Sequence, residues 1–83
     1  MTSDEFAAIY ALTREGAHAG VQGDQQLAVI MRNRIEGIWQ LAMFREDTYM
    51  MDVCDRCEWM IRASICRGLG QPCFLPSTEE LAA

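Results

Sequence analysis

Four cysteines in the last third of this 83-residue chain are its most reactive side chains. They begin with a Cys-x-x-Cys pair, Cys54 and Cys57, and continue with Cys66 and Cys73. Such a set could bind zinc, form a redox dithiol or fill a core, because reduced cysteine behaves as a small buried hydrophobe.

Zinc would need four ligands at about 2.3 Å from the metal, and the cysteine spacing works against that geometry. If residues 52–67 form one helix, Cys57 and Cys66 lie about 13 Å apart along its axis and on nearly opposite sides. The residues between them contain no helix breaker. A zinc site on the four cysteines, with His18 as a substitute ligand, is therefore an alternative, and we expect no cofactor.

A redox dithiol at Cys54 and Cys57 would need a lowered thiol pKa. A helix beginning near Asp52 would place Cys54 in its first turn, where the helix dipole favours the thiolate. Three acidic residues around the pair oppose this effect, and the strand–helix alternation of thioredoxin-like proteins is missing. We therefore predict structural cysteines, with Cys66 and Cys73 able to meet if the chain folds back between them.

An apolar stripe at spacings of three, four and seven residues predicts a buried face on a helix over residues 24–44. Its members are Leu27, Ile30, Met31, Ile38 and Leu41. Arg34 lies inside this stripe, and a buried guanidinium is too costly to keep without an acid. Arg34 should therefore reach solvent at the edge, pair with a carboxylate such as Glu15 or Glu58, or cross an interface to an acid on another chain.

Large side chains outside the predicted buried faces indicate an interface, because interfaces are enriched in tryptophan, methionine and arginine. The candidate partner-binding residues are Arg34, Trp39, Met43, Phe44, Trp59 and Arg62. We expect them to bind a protein partner, and we expect a homodimer in which the second helix supplies contacts.

One segment resembles a family of enzymes. It resembles, in order and approximate spacing, the Glu-Ala-x-Gly-Glu…Gly…Ala…Asn-Arg segment of spore-cortex and cell-wall hydrolases. The residues that carry the resemblance are Glu15, Gly23, Ala28 and Asn33-Arg34. The resemblance covers residues 15–34 and implies that Glu15 is the catalytic acid of a degenerate or minimal hydrolase. Ala19 stands where the family has a second glutamate.

Composition limits the remaining function classes. The net charge of −5 repels phosphate, so we expect no direct binding to nucleic acid, although an acidic surface could mimic nucleic acid in a basic groove. The chain has no apolar run near the roughly 18 residues that span a bilayer, and its acidic start differs from a signal peptide. We expect a cytoplasmic, non-enzymatic regulator or inhibitor of the phage or mobile-element kind.

The elements that must position these residues are helical. Thr2 or Ser3 can cap a first helix, Asp24 can cap a second, and Asp47 or Thr48 can cap a third. Glycines follow the predicted ends of the first and third helices. On the third helix the predicted buried face comprises Val53, Cys57, Met60 and Ile61. We predict a single all-α domain over residues 1–83. It is a bundle of three helices at about 3–19, 24–44 and 48–67, followed by an extended Gly/Pro-containing segment with room for a short last helix.

Overall fold

Three α-helices account for most of the chain in a computed structural model, which describes residues 3–71. They are α1 (Ser3–Val21), α2 (Gln25–Phe44) and α3 (Thr48–Gly68). Each helix packs against both others, and short turns make consecutive helices antiparallel. The predicted all-α three-helix bundle is confirmed. None of these three helices is long and apolar enough to cross a membrane.

Two aspartates determine where α2 and α3 begin. The Asp24 carboxylate accepts a hydrogen bond from the backbone N–H of Leu27 at 3.2 Å, and Asp47 accepts one from Met50 at 3.0 Å. Each bond satisfies an N–H of the first turn that has no partner inside the helix. The third helix therefore begins directly after Asp47, as predicted from that cap, and not near Asp52.

α1 continues two residues beyond its predicted end because two of its glycines pack against α3 instead of terminating the helix. A Cβ on Gly16 would lie 2.7 Å from Cδ1 of Ile61, and a Cβ on Gly20 would overlap Oγ of Ser64. Only glycine allows this approach of α1 to α3. The chain turns at Gly23, whose φ of +86° lies in the left-handed region.

The core is built from medium-sized and small side chains of all three helices. Its largest fully buried side chains are Ile9, Ile35, Cys54 and Ile61. Around them α2 contributes two alanines and Met31, and α3 contributes Met50 and Cys57. The core therefore holds the helices together mainly through close packing of compact side chains.

The predicted buried stripe on α2 is wrong in its centre. Ile30 and Leu41 are 40% and 57% exposed, whereas Ile35, which was not in the stripe, is completely buried. At 100° per residue, the buried face is centred near Ile35, and the predicted stripe runs along the edge of that face. On α3, Met60 was also predicted to be buried and is 57% exposed.

Candidate protein-docking surface

The Cys-x-x-Cys pair lies in the core, as predicted for structural cysteines. Cys54 and Cys57 are buried and their thiols are free. Burial raises the pKa of Cys54 to about 12, and the neighbouring Cys57, Glu58, Asp55 and Asp47 add to the effect. Cys54 lies in the second turn of α3, beyond the first turn where the dipole acts. It is therefore a neutral thiol near pH 7, unsuited to nucleophilic attack.

The other predicted metal ligands are not gathered by the bundle. Cys66 is half-buried with a free thiol, and His18 is exposed near the end of α1. Cys73 and its predicted contact with Cys66 lie outside the described residues. Within residues 3–71, no three or more His, Cys, Asp or Glu side chains are grouped so that they could hold a metal ion.

Glu15, the acid implied by the hydrolase resemblance, lies on the exposed face of α1. It lines neither the groove between α2 and α3 nor the groove between α1 and α3. Ala19 is buried, so the position of the second glutamate of that family is part of the helix packing. The catalytic role of Glu15 stays a prediction.

A groove of about 270 Å³ between α2 and α3 contains two of the predicted partner-binding residues. It is lined by Arg32, Glu36, Glu58, Trp59 and Arg62. The guanidinium of Arg62 lies 5.0 Å from the centre of the Trp59 ring, a cation–π contact that holds both side chains in place. Burial raises the pKa of Glu58, Glu36 raises it further, and Arg32 opposes the shift.

Trp39 lies on the same side of α2 but is half-buried and packs against the core. Its indole Nε1 is buried and meets no hydrogen-bond partner within the described range. Burial raises the pKa of Asp55, and the Trp39 indole N–H opposes that shift. The two groups therefore face each other across the α2–α3 contact without closing a hydrogen bond of good geometry. Trp39 contributes to helix packing more than to the open surface.

The side of α2 that faces away from the core carries a second stripe. Its members follow one another at spacings of four, three, four and three residues, and they are Ile30, Arg34, Gly37, Leu41 and Phe44. Phe44 is 81% exposed, the most exposed of the large apolar side chains in the described residues. No atom lies within 4 Å of the position that a Cβ on Gly37 would occupy. We call these five residues the α2 stripe.

Arg34 is exposed within the α2 stripe and forms no ion pair with any residue between 3 and 71. It directly precedes Ile35, so its side chain points about 100° away from the centre of the buried face. The guanidinium therefore reaches solvent and pairs with neither Glu15 nor Glu58, and its pairing with an acid on another chain stays a prediction.

Four of the six predicted partner-binding residues therefore lie in one of two places. Arg34 and Phe44 belong to the α2 stripe, and Trp59 with Arg62 lines the groove between α2 and α3. Met43 is 44% exposed and lies in neither set. Ile30 and Leu41 were predicted to lie in the core. Together with Phe44 they also match the four-and-three spacing by which a helix contacts another helix.

A further apolar area lies where α1 and α3 begin. The rings of Phe6 and Tyr10 stack with centres 6.2 Å apart, and Phe6 meets Tyr49 edge-on at 5.8 Å. A groove of about 500 Å³ continues from Tyr10 along α1 and α3, past Cys57 and Met60. The aromatic rings contact each other here, whereas the apolar members of the α2 stripe stand apart, each one or two turns from the next.

Compared with protein-family models, with curated proteins and with solved structures, the chain matches none.

Proposed function

We propose that this chain is a non-enzymatic regulator that binds a protein partner through the α2 stripe and acts by occluding or recruiting that partner. The observation that carries the proposal is Phe44, 81% exposed at the end of a stripe that also exposes Ile30 and Leu41. Leu41 and Phe44 are neighbours one turn apart on the helix, and contiguous exposed apolar surface on a small protein is typical of interaction sites.

The spacing of the α2 stripe indicates what kind of surface it binds. Alternating steps of four and three residues keep side chains on one line along a helix, which is how a helix presents apolar residues to another helix. Leu41 and Phe44 would form the apolar contacts at one end and Ile30 the contact at the other. Gly37 leaves the middle of the stripe open, so that a partner helix can cross there closely.

Photocrosslinking in the cells that produce the chain tests this function. A photoreactive phenylalanine analogue replaces Phe44 in one sample and Met60, which lies on α3 outside the stripe, in the control. We expect the probe at position 44 to form a covalent adduct with another polypeptide. Leu41→Ala should reduce that adduct, because it removes the apolar side chain one turn from Phe44.

Equal crosslinking from positions 44 and 60, or no adduct from position 44, would contradict the proposed docking surface. The mass of the adduct distinguishes a different protein from a second copy of the chain.

A further inference from the structure

The two ends of the α2 stripe are symmetric about its midpoint. Gly37 lies at its midpoint, and Ile30 and Phe44 each lie seven residues from it in opposite directions. If two α2 helices cross antiparallel at Gly37, Ile30 of each copy meets Phe44 of the other. Such reciprocal contacts are the property that a two-fold interface requires.

Of the three helices, α2 brings the fewest acidic residues to a contact between two copies. The whole chain has a net charge of −5, and identical acidic surfaces repel. α2 has one acidic residue, Glu36, whereas α1 and α3 have three each. An interface on its outer face keeps most of the acidic residues of both copies out of the contact.

Gly37 also favours a close crossing of two α2 helices. Glycine lowers helix propensity relative to alanine, and inside the protomer nothing near Gly37 requires a missing side chain. This differs from Gly16 and Gly20, which admit the packing of α3. A crossing helix at Gly37 would use the open space, because the two backbones can approach closely only where side chains are absent.

We infer that a second copy of this chain occupies the α2 stripe as an antiparallel α2–α2 pair centred on Gly37. This inference rests on the proposed function, since it names a partner for the same stripe. The stripe is about 21 Å long, and one helix face of that length is smaller than the roughly 800 Å² per partner of a standard interface. We therefore expect a weak, reversible dimer from which another target can displace the second copy.

Sedimentation velocity on the full chain, from about 1 μM to about 200 μM, measures the association. The parent should form a dimer reversibly with increasing concentration. Phe44→Asp should raise the dissociation constant at least about tenfold, because it places a carboxylate against the apolar Ile30 of the other copy. Met60→Asp is the control, since Met60 is an exposed apolar residue of α3 outside the stripe, and it should dimerise as the parent does. A monomeric parent, or equal weakening by both variants, would overturn the inference.

Cysteine crosslinking tests the antiparallel arrangement. In a chain with Cys66→Ser and Cys73→Ser, one sample carries Ile30→Cys and a second carries Phe44→Cys, and the two are mixed and oxidised. The antiparallel pair predicts disulfides between position 30 of one copy and position 44 of the other. Disulfides that join only like positions would indicate a parallel pair and overturn the proposed geometry.

The two experiments also separate this inference from the proposed function. If the parent is monomeric but the probe at position 44 crosslinks a different protein, the second copy is wrong and the docking surface stands. If neither association nor crosslinking occurs, both proposals fail.

Discussion

At Cys54 the chemistry of the side chain is determined by its position in the bundle. A Cys-x-x-Cys spacing is compatible with metal binding and with redox chemistry, but both need an accessible thiolate. Cys54 is completely buried, and the neighbouring carboxylates of α3 disfavour the thiolate further. The same residue type is therefore inert here for a reason that spacing does not reveal.

This environment predicts a loss of stability at alkaline pH. The pKa of Cys54 is about 12 in the folded chain and near 9.0 when the thiol is free. Above the lower value the unfolded chain releases the proton while the folded chain retains it, so the free energy of unfolding falls as pH rises toward the higher value. Urea unfolding at about pH 8 and about pH 10 measures the change. The parent should lose more stability between these values than Cys54→Ala, and equal losses would show that this thiol does not titrate on unfolding.

At the scale of helices, the close contact between α1 and α3 depends on glycine. A Cβ on Gly20 would overlap Oγ of Ser64 and lie 2.9 Å from the backbone nitrogen of Ile65, which cannot move independently of its helix. Gly37 has no neighbour within 4 Å of its Cβ position. Two glycines inside helices of similar length therefore have opposite structural roles.

Alanine substitution at these two glycines should change stability in opposite directions. Gly20→Ala should lower the free energy of unfolding by about 1–3 kcal/mol, because the added methyl overpacks the α1–α3 contact. Gly37→Ala should raise it by up to about 1 kcal/mol through helix propensity alone. Urea denaturation at low protein concentration, where the chain is monomeric, measures both. Destabilisation by Gly37→Ala of the size expected for Gly20→Ala would contradict this assignment.

The helices could be predicted from the sequence because their ends depend on local interactions. Asp24 and Asp47 cap the helices that begin directly after them, and Gly23 permits the turn between α1 and α2. The buried face of α2 could not be predicted in the same way. Two of its core residues, Ala28 and Ala42, are small because the helices pack closely there, so they give little hydrophobic signal.

The same ambiguity affects the candidate site. Arg34 and Phe44 were recognised from residue type, whereas Ile30 and Leu41 were taken for core residues. Apolar residues at helical spacing indicate that a helix has an apolar face, but not whether its own protomer or a partner covers that face. Only the position of Ile35 in the core shows that the face containing Leu41 is turned outward.

For the whole molecule, surface ion pairs contribute little to holding the bundle together. Arg45 and Glu5 link the end of α2 to the start of α1 at 3.2 Å, and Arg56 pairs with Asp52 at 3.3 Å within α3. Both pairs are largely exposed, and such pairs contribute between zero and about 1 kcal/mol. The remaining acidic charge acts instead on association, where it repels other acidic molecules and attracts basic ones.

Salt dependence therefore tests whether the α2 stripe associates through apolar contacts or through charge. Self-association through the α2 stripe buries apolar groups while the two chains, each with a net charge of −5, repel. Sodium chloride screens this repulsion, since the Debye length falls from about 30 Å at 0.01 M to about 3 Å at 1 M. Dimer dissociation constants measured by sedimentation should therefore stay constant or decrease with added salt. Phe44→Asp, which adds a charge to the contact, should associate weakly at every salt concentration. A dissociation constant that increases steeply with salt would mean that charge attraction holds the two copies together, and it would contradict an apolar contact through the α2 stripe.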